Sequence, residues 1–247
     1  MNPLTLAHPV VRLALAPVCL AQGLMVRRRA TILPEAAGPR TGITGKGPSL
    51  RLLIVGDSSA AGVGVSHLDA ALSGRLVAEL ADFQLHWRIE ARTGATTASA
   101  LAALESQQPG AFDAAVVALG VNDVTRQVPL RRWLAMQIAL TGLLTDRFRC
   151  RHVYLSGVPP LGHFPLLPQP LRAVLGARAA VFDAALAAQA GGHAVLRHLP
   201  FDAAALDTAL MAEDGFHPGP EIYRHWAAGL ATLIRTDFAH GGGSCGV

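Results

Sequence analysis

Residues 51–59 read RLLIVGDSS, a mainly apolar run that ends in a glycine, a carboxylate and two hydroxyls. The run does not alternate between polar and apolar residues, which is typical of a parallel strand buried on both faces. Further short apolar runs follow along the chain, and longer segments with the residue spacing of helices separate them. The predicted strands are residues 51–56, 85–91, 113–119, 152–156 and 193–199, and the predicted helices are residues 67–80, 97–107, 130–147, 171–189 and 221–234. This alternation predicts βαβ units around a mostly parallel sheet, which is an α/β fold.

Residues with chemically useful side chains follow these strands at the points where the strands end. Ser58 follows the first strand, Gly94 the second and Asn122 the third. Asp214 and His217 come directly before the last helix. Ligands of open α/β sheets bind beyond the carboxyl ends of the strands, so we expect these residues at one edge of the sheet. A hydroxyl, an imidazole, a carboxylate and N–H donors are the parts that nucleophilic ester cleavage needs.

Four segments, in this order, resemble the sequence blocks of the SGNH hydrolases, the group that contains GDSL lipases, thioesterases and carbohydrate acetylesterases. They are Gly56-Asp57-Ser58, Gly94, Gly120-Val121-Asn122-Asp123 and Asp214-Gly215-Phe216-His217-Pro218. The resemblance covers about residues 51–237. It implies a flavodoxin-like, three-layer α/β/α sandwich with a mostly parallel sheet of five strands.

The resemblance also implies a role for each matching residue. Ser58 would be the nucleophile, His217 the base that accepts its proton, and Asp214 the carboxylate that orients the imidazole. The backbone N–H groups of Ser58 and Gly94, with the side-chain amide of Asn122, would bind the oxyanion. This chemistry requires no metal and no organic cofactor.

The neighbours of these residues have interpretations of their own. Ser59 offers a second hydroxyl, but the Gly-Asp-Ser motif makes Ser58 the predicted nucleophile. Asp57 and Asp123 are expected to hold their turns by accepting hydrogen bonds from backbone N–H groups. Many family members have an asparagine upstream of the glycine in the second block, where this chain has Arg92-Thr93.

The loop after the fourth predicted strand, residues 157–170, reads GVPPLGHFPLLPQP. Its five prolines fix φ at their positions, which favours a preformed wall. We expect Leu161, Phe164 and Leu167 to line an acyl pocket and His163 to contact the substrate. The alternative is that the apolar side chains of this loop only cap the core.

The chain has 247 residues, of which 51% are hydrophobic, and this is enough for one domain with an additional arm. The expected divisions are a basic, apolar arm and linker at 1–49, a hydrolase domain at 50–238 and a Gly-rich tail at 239–247. Residues 1–50 carry six basic side chains against Glu35 alone, whereas the rest of the chain has 15 basic and 16 acidic side chains. The nearly neutral body argues against a nucleic-acid-binding face.

The arm is apolar over most of residues 10–26 and then carries Arg27-Arg28-Arg29. A secretory signal peptide has its positive charges before the apolar run, which is the reverse of this order. Three interpretations of the arm stay open: a helix docked on the body, an interfacial anchor on an anionic membrane, and a membrane span or targeting signal. Residues 34–49 contain three prolines and four glycines and are typical of a linker.

The three cysteines lie far apart and form no disulfide framework, which indicates a reducing compartment and a cytoplasmic location, with membrane association as an alternative. The leading function is hydrolysis of a small-molecule ester with a short-to-medium or lipid-like acyl group, because both the loop and the arm are apolar. One alternative is a carbohydrate O-acetyl esterase, although aromatic residues make up only 5% of the chain. The other is a non-catalytic lipid- or membrane-binding module on the same fold.

Overall fold

The computed structural model describes residues 9–201 and 207–239, and among these the side chains of residues 14–201 and 207–238. Of the predicted Gly-rich tail, residues 240–247 lie outside the described residues. The strands are β1 (Thr41–Thr44), β2 (Ser49–Gly56), β3 (Gln84–Ala91), β4 (Ala114–Ala118), β5 (His152–Ser156) and β6 (Leu196–Leu199). The helices are α1 (Pro9–Arg29), α2 (Leu72–Glu79), α3 (Thr97–Glu105), α4 (Val121–Thr125), α5 (Leu130–Asp146), α6 (Leu171–Gly191) and α7 (Pro220–Ala239).

The six strands form one sheet in the order β1-β3-β2-β4-β5-β6. Strands β2 to β6 pair in parallel with one another, and β1 pairs with β3 in the antiparallel direction. The predicted α/β fold with a mostly parallel sheet is confirmed, and each of the five predicted strands is present. The sheet differs from the expectation by one additional strand at its edge.

Strand β2 lies in the middle of the sheet and is covered on both faces. Leu53 and Val55 belong to a core cluster on one face, while Leu52 and Ile54 belong to a second cluster on the other face. All four side chains are fully buried. This is why the strand reads as a continuous apolar run.

Helices cover the two faces and complete three layers. The first cluster includes apolar side chains of α3, α5 and α6, and the second includes those of α2 and α7. In the first layer the ring of Trp133 on α5 lies 4.5 Å from the ring of Phe182 on α6, measured between centroids. The helices therefore leave the carboxyl ends of the parallel strands as the open edge of the sheet.

The additional strand β1 comes from residues 34–49, which were expected to be a linker. Its four residues pair with β3 from Thr41 opposite Arg88 to Thr44 opposite Leu85. The backbone N–H and C=O groups at the edge of β3 would otherwise lack partners, and a short strand satisfies them. Pairing of backbone groups needs no apolar pattern, so the glycine- and threonine-rich sequence of β1 gave no strand signal.

Helix α1 lies against the start of α6. The amide of Gln22 donates to the carbonyl of Gln169 (2.6 Å) and accepts from the backbone N–H of Leu171 (3.1 Å). Cys19 and Val26, on the same side of α1, pack against the first core cluster. Among the described residues, no helix is both long enough and apolar enough to cross a membrane.

Candidate active site

Ser58 lies in the turn that follows β2 and is 9% exposed. A side chain on Gly56, the last residue of β2, would place its Cβ 2.3 Å from the Cβ of Ala60 and 2.9 Å from the carbonyl oxygen of Ala118. Glycine therefore lets the chain turn tightly against β4, and the N–H of Asp57 donates to the carbonyl of Ala118 (3.2 Å). This turn places the hydroxyl of Ser58 at the edge where the parallel strands end.

Asp57 gives the two adjacent serines different partners. Its Oδ1 accepts hydrogen bonds from the backbone N–H (3.0 Å) and the hydroxyl (2.8 Å) of Ser59. The hydroxyl of Ser59 is therefore bound within its own turn. The hydroxyl of Ser58 lies 2.9 Å from Nε2 of His217.

His217 connects Ser58 to Asp214. Its Nδ1 lies 2.5 Å from Oδ2 of Asp214, on the side of the ring opposite Ser58. The side chain of His217 is 18% exposed and that of Asp214 only 3%. The structure thus brings together the three residues in which sequence reasoning placed the nucleophile, the base and the orienting carboxylate.

The short segment between Asp214 and His217 is a turn that the carboxylate itself holds. Oδ1 of Asp214 accepts from the backbone N–H groups of Phe216 (2.9 Å) and His217 (3.0 Å). Gly215 has a φ of +62°, in the left-handed region that glycine adopts without strain. One carboxylate oxygen of Asp214 therefore stabilises the turn, and the other contacts the imidazole of His217.

Asn122 is in the first turn of α4, directly after β4. Its side-chain amide donates to the carbonyl of Ala95 (3.0 Å) and lies 3.3 Å from Oδ2 of Asp57. The neighbouring Asp123 accepts from both the N–H and the hydroxyl of Thr97, each at 3.0 Å. Asp57 and Asp123 both hold loop backbone groups, as expected, and they join the loops after β2, β3 and β4.

Gly94 lies in the loop after β3 with a φ of +76°. The guanidinium of Arg126 donates to its carbonyl (2.9 Å). Within the described residues, the backbone N–H groups of Gly94 and Ser58 donate to no acceptor.

A cavity opens beside Ser58 and His217, and its walls are largely apolar. The apolar side chains that line it are Ala118, Leu119, Val121, Pro159, Phe164, Phe201, Met211, Phe216, Pro218, Ile222 and Trp226. Ser156 is a polar residue of this lining, and its hydroxyl accepts from the indole N–H of Trp226 (3.0 Å). The space next to the hydroxyl of Ser58 thus offers contact with apolar groups over most of its surface.

The structure changes the prediction for the proline-rich loop. Phe164 lines the cavity and packs edge to face against Phe216, with ring centroids 5.3 Å apart. Phe164, Leu161 and Leu167 all belong to the first core cluster, but Leu161 and Leu167 are not in the cavity lining, and His163 is exposed. A 3₁₀ turn at Leu161–His163 packs against α6 and directs Leu161 inward, a local geometry that the proline spacing did not predict.

Most of the cavity wall was missed by sequence reasoning. Phe201, Met211 and Ile222 come from the segment between β6 and the start of α7, more than 40 positions after Ser156. Phe216 could have been predicted near the site, because it lies inside the segment that carries Asp214 and His217. Trp226 on α7 both packs in the second core cluster and lines the cavity.

Residues 54–225 match the model of the GDSL-like lipase/acylhydrolase family. The chain belongs to this family. It is therefore a hydrolase. No curated protein matches the sequence.

Solved structures share the fold of this GDSL-family hydrolase. The esterase EstA of a Pseudoalteromonas species is 18% identical, and the alignment covers 77% of this chain and 100% of that chain at a TM-score of 0.56. A lipolytic protein of the G-D-S-L family from Veillonella parvula is 13% identical, with 76% and 99% covered and a TM-score of 0.61. A carbohydrate esterase family 2 enzyme with a carbohydrate-binding domain, from Corynascus thermopiles, is 13% identical, with 79% and 68% covered and a TM-score of 0.59. At these identities the likeness shows the fold.

Two carboxylates beside Ser58 in this hydrolase have opposite electrostatic environments. Burial raises the pKa of Asp214, but hydrogen bonds from the ring of His217 and from two backbone N–H groups outweigh it, so the pKa lies below the ordinary aspartate value. Burial also raises the pKa of Asp57, and here the hydrogen bonds from Ser59 do not compensate, so the pKa stays raised. Asp214 is thus the carboxylate that keeps its negative charge next to His217.

A residue of the N-terminal segment holds the loop of Gly94 and was not predicted. Oε1 of Glu35 accepts from the N–H (2.7 Å) and the hydroxyl (2.8 Å) of Thr93. Arg40 donates to the other oxygen of Glu35 (2.8 Å) and to the carbonyl of Ala91 (2.6 Å). The signal for Glu35 was its position as the lone acidic residue among the first 50.

We expect Asp57 to take up a proton at a higher pH than Asp214 as the solution is acidified, because burial dominates at Asp57 and hydrogen bonding at Asp214. The measurement is a titration of the side-chain carboxyl ¹³C resonances by NMR. Asp57→Asn and Asp214→Asn spectra assign the two signals. If Asp214 takes up its proton first, the electrostatic description of this site is wrong.

Proposed function

We propose that this hydrolase is a serine esterase that cleaves carboxylic esters with short-to-medium or lipid-like acyl groups through an acyl-enzyme on Ser58. The observation that carries the proposal is the chain of contacts from Ser58 to His217 (2.9 Å) and from His217 to Asp214 (2.5 Å) beside an apolar cavity. A serine hydroxyl is a weak nucleophile on its own, and an adjacent base oriented by a third group activates it.

In the first step, Nε2 of His217 accepts the proton as the hydroxyl oxygen of Ser58 attacks the ester carbonyl. The charged imidazole that forms is stabilised by the ionised carboxylate of Asp214, whose pKa is held low by the hydrogen bonds it accepts. His217 then gives the proton to the departing alcohol. A water molecule, activated by the same imidazole, hydrolyses the acyl-enzyme in the second step.

The oxyanion that develops on the ester needs N–H donors. The backbone N–H groups of Ser58 and Gly94 have no other acceptor within the described chain, and this supports their assignment as donors. Asn122 would supply the third donor from its side-chain amide. The contacts of this amide with the carbonyl of Ala95 and with Asp57 hold it between the two loops.

The apolar lining of the cavity supports an acyl group as its occupant. Each buried CH₂ of an acyl chain contributes roughly 0.8 kcal/mol when it leaves water. The alternative substrate is an acetylated carbohydrate, which one structural neighbour's name as a carbohydrate esterase brings into consideration. A sugar needs polar partners, and the cavity offers few beyond Ser58, Ser156 and His217. The other alternative is a non-catalytic binding module, and such a module would not need the Ser58–His217–Asp214 contacts.

Ser58→Ala should lower kcat/KM for p-nitrophenyl esters by about 10³-fold or more, because the nucleophile is lost while binding is retained. Ser59→Ala is the matched control and should keep most of the activity, since its hydroxyl is bound by Asp57. The measurement covers acyl lengths from C2 to C12 and acetylated sugars. An inactive wild type would favour the binding module, and activity on sugar acetates alone would favour the carbohydrate esterase. An active Ser58→Ala variant would refute the nucleophile assignment.

Asn122→Ala should lower kcat by roughly 10²- to 10³-fold with little change in KM, because the donor acts on the oxyanion and not on the bound ester. Gln127→Ala is the control, because this nearby amide donates to the local carbonyl of Val124. Steady-state kinetics on one ester give both constants, and the urea midpoint shows whether the fold is intact. A loss confined to KM would remove Asn122 from the oxyanion site.

Phe164→Ala should shift the preference toward longer acyl chains by about tenfold in relative kcat/KM, because it enlarges the cavity. Leu167→Ala is the control from the same loop. This residue is buried in the core, so its truncation should cost about 2–5 kcal/mol of unfolding free energy and leave the chain-length profile unchanged. The measurements are kcat/KM from C2 to C12 and urea unfolding. An unchanged profile in Phe164→Ala would contradict the acyl-pocket assignment.

A further inference from the structure

Helix α1 carries apolar side chains both on the side that packs against the body and on the side that faces away from it. Gln22 is a polar residue in the middle of the helix, and it points toward the body, where its amide bonds Gln169 and Leu171. Surface helices of soluble domains normally turn their polar residues to water and their apolar residues to the core. Here the docked side carries Gln22 together with Cys19 and Val26, and the opposite side is apolar as well.

The outward side of α1 is a continuous apolar surface. Leu20 is 67% exposed and Leu24 is 50% exposed, one turn apart on the side opposite Gln22. Val18 and Met25 extend the surface on its flank and are also exposed. From residue 14 to residue 26 no charged side chain interrupts it. Exposed apolar area of this kind is removed from water when a partner covers it.

A cluster of positive charge ends the same helix. Arg27, Arg28 and Arg29 form the last turn of α1, and all three are exposed. Within the described residues their side chains make no ion pair or hydrogen bond. A basic cluster next to an apolar helix face matches a bilayer with anionic headgroups, in which the apolar side chains enter the interface and the guanidinium groups meet the phosphates.

We propose that α1 binds this protein to the surface of an anionic lipid bilayer, with Leu20 and Leu24 in the interface and the three arginines on the headgroups. This inference goes beyond the proposed esterase function and does not depend on it. Gln22 anchors the helix to the start of α6, so the bilayer contact is made by a helix that stays joined to the folded body.

The test is flotation of the full-length protein with vesicles, one set of phosphatidylcholine alone and one with added phosphatidylglycerol. We expect binding to the anionic vesicles, weakened by salt, and little binding to the neutral ones. Leu20→Gln with Leu24→Gln, and separately Arg27→Gln with Arg28→Gln and Arg29→Gln, should each weaken binding at least about tenfold. Hydrolysis of a soluble ester by each variant is measured alongside and does not enter the binding result.

Matched controls carry the same changes at exposed positions elsewhere. Ile43→Gln with Ile138→Gln replaces two exposed apolar side chains, and Arg131→Gln with Arg132→Gln and Arg149→Gln removes three exposed charges. These variants should bind as the wild type does. Absent or salt-independent binding, or equal losses in test and control variants, would overturn the proposal. So would a lipid-free dimer, measured by light scattering, that dissociates in the Leu20 and Leu24 double variant, because a second copy of the chain would then be the partner.

Discussion

The hydrogen-bond register of β2 with its two neighbours sets the position of everything at the open edge of the sheet. Gly56, the last residue of β2, is paired with Ala91 on β3 and with Ala118 on β4. Three strands therefore end at the same level, and the loops that carry Ser58, Gly94 and Asn122 leave the sheet side by side. A slip of one residue in either pairing would turn every side chain of the strand to the opposite face and separate these loops.

Buried carboxylates hold these three loops together, although burying a carboxylate costs free energy. Asp123 joins the loop after β4 to Thr97 at the start of α3, and Asp57 joins the turn of Ser59 to the amide of Asn122. Burial raises the pKa of both Asp57 and Asp123 beyond what their hydrogen bonds offset. Asp214 differs, because its two backbone donors and the imidazole outweigh burial. At this edge of the sheet, Asp57 and Asp123 therefore hold loops together, while Asp214 holds a turn and also keeps its negative charge beside His217.

Features encoded by local patterns could be predicted from the sequence. The buried strands appear as apolar runs, and the positions of Ser58 and Asn122 follow from where those runs end, whereas His217 was placed by the resemblance and by its position before the last helix. Strand β1 escaped prediction because an edge strand is held by backbone pairing and needs no apolar pattern. Leu167 was placed in the acyl pocket because its loop is apolar, but the side to which an irregular loop turns each residue depends on what packs beneath it. The part of the cavity wall formed by Phe201 and Met211 comes from a segment late in the chain. Tertiary packing brings this segment to the cavity, so the sequence held no local signal for it.

The match to the family model begins at residue 54, and residues before it contact two loops near the cavity. Glu35 holds the loop of Gly94 through the N–H and hydroxyl of Thr93. Gln22 holds Gln169 at the end of the loop that carries Phe164. These contacts lie on opposite sides of the central strand β2, one at the loop after β3 and the other at the loop after β5. Residues outside the part that matches the family model thus hold one loop on each side of β2, through Glu35 at the loop of Gly94 and through Gln22 at the loop of Phe164.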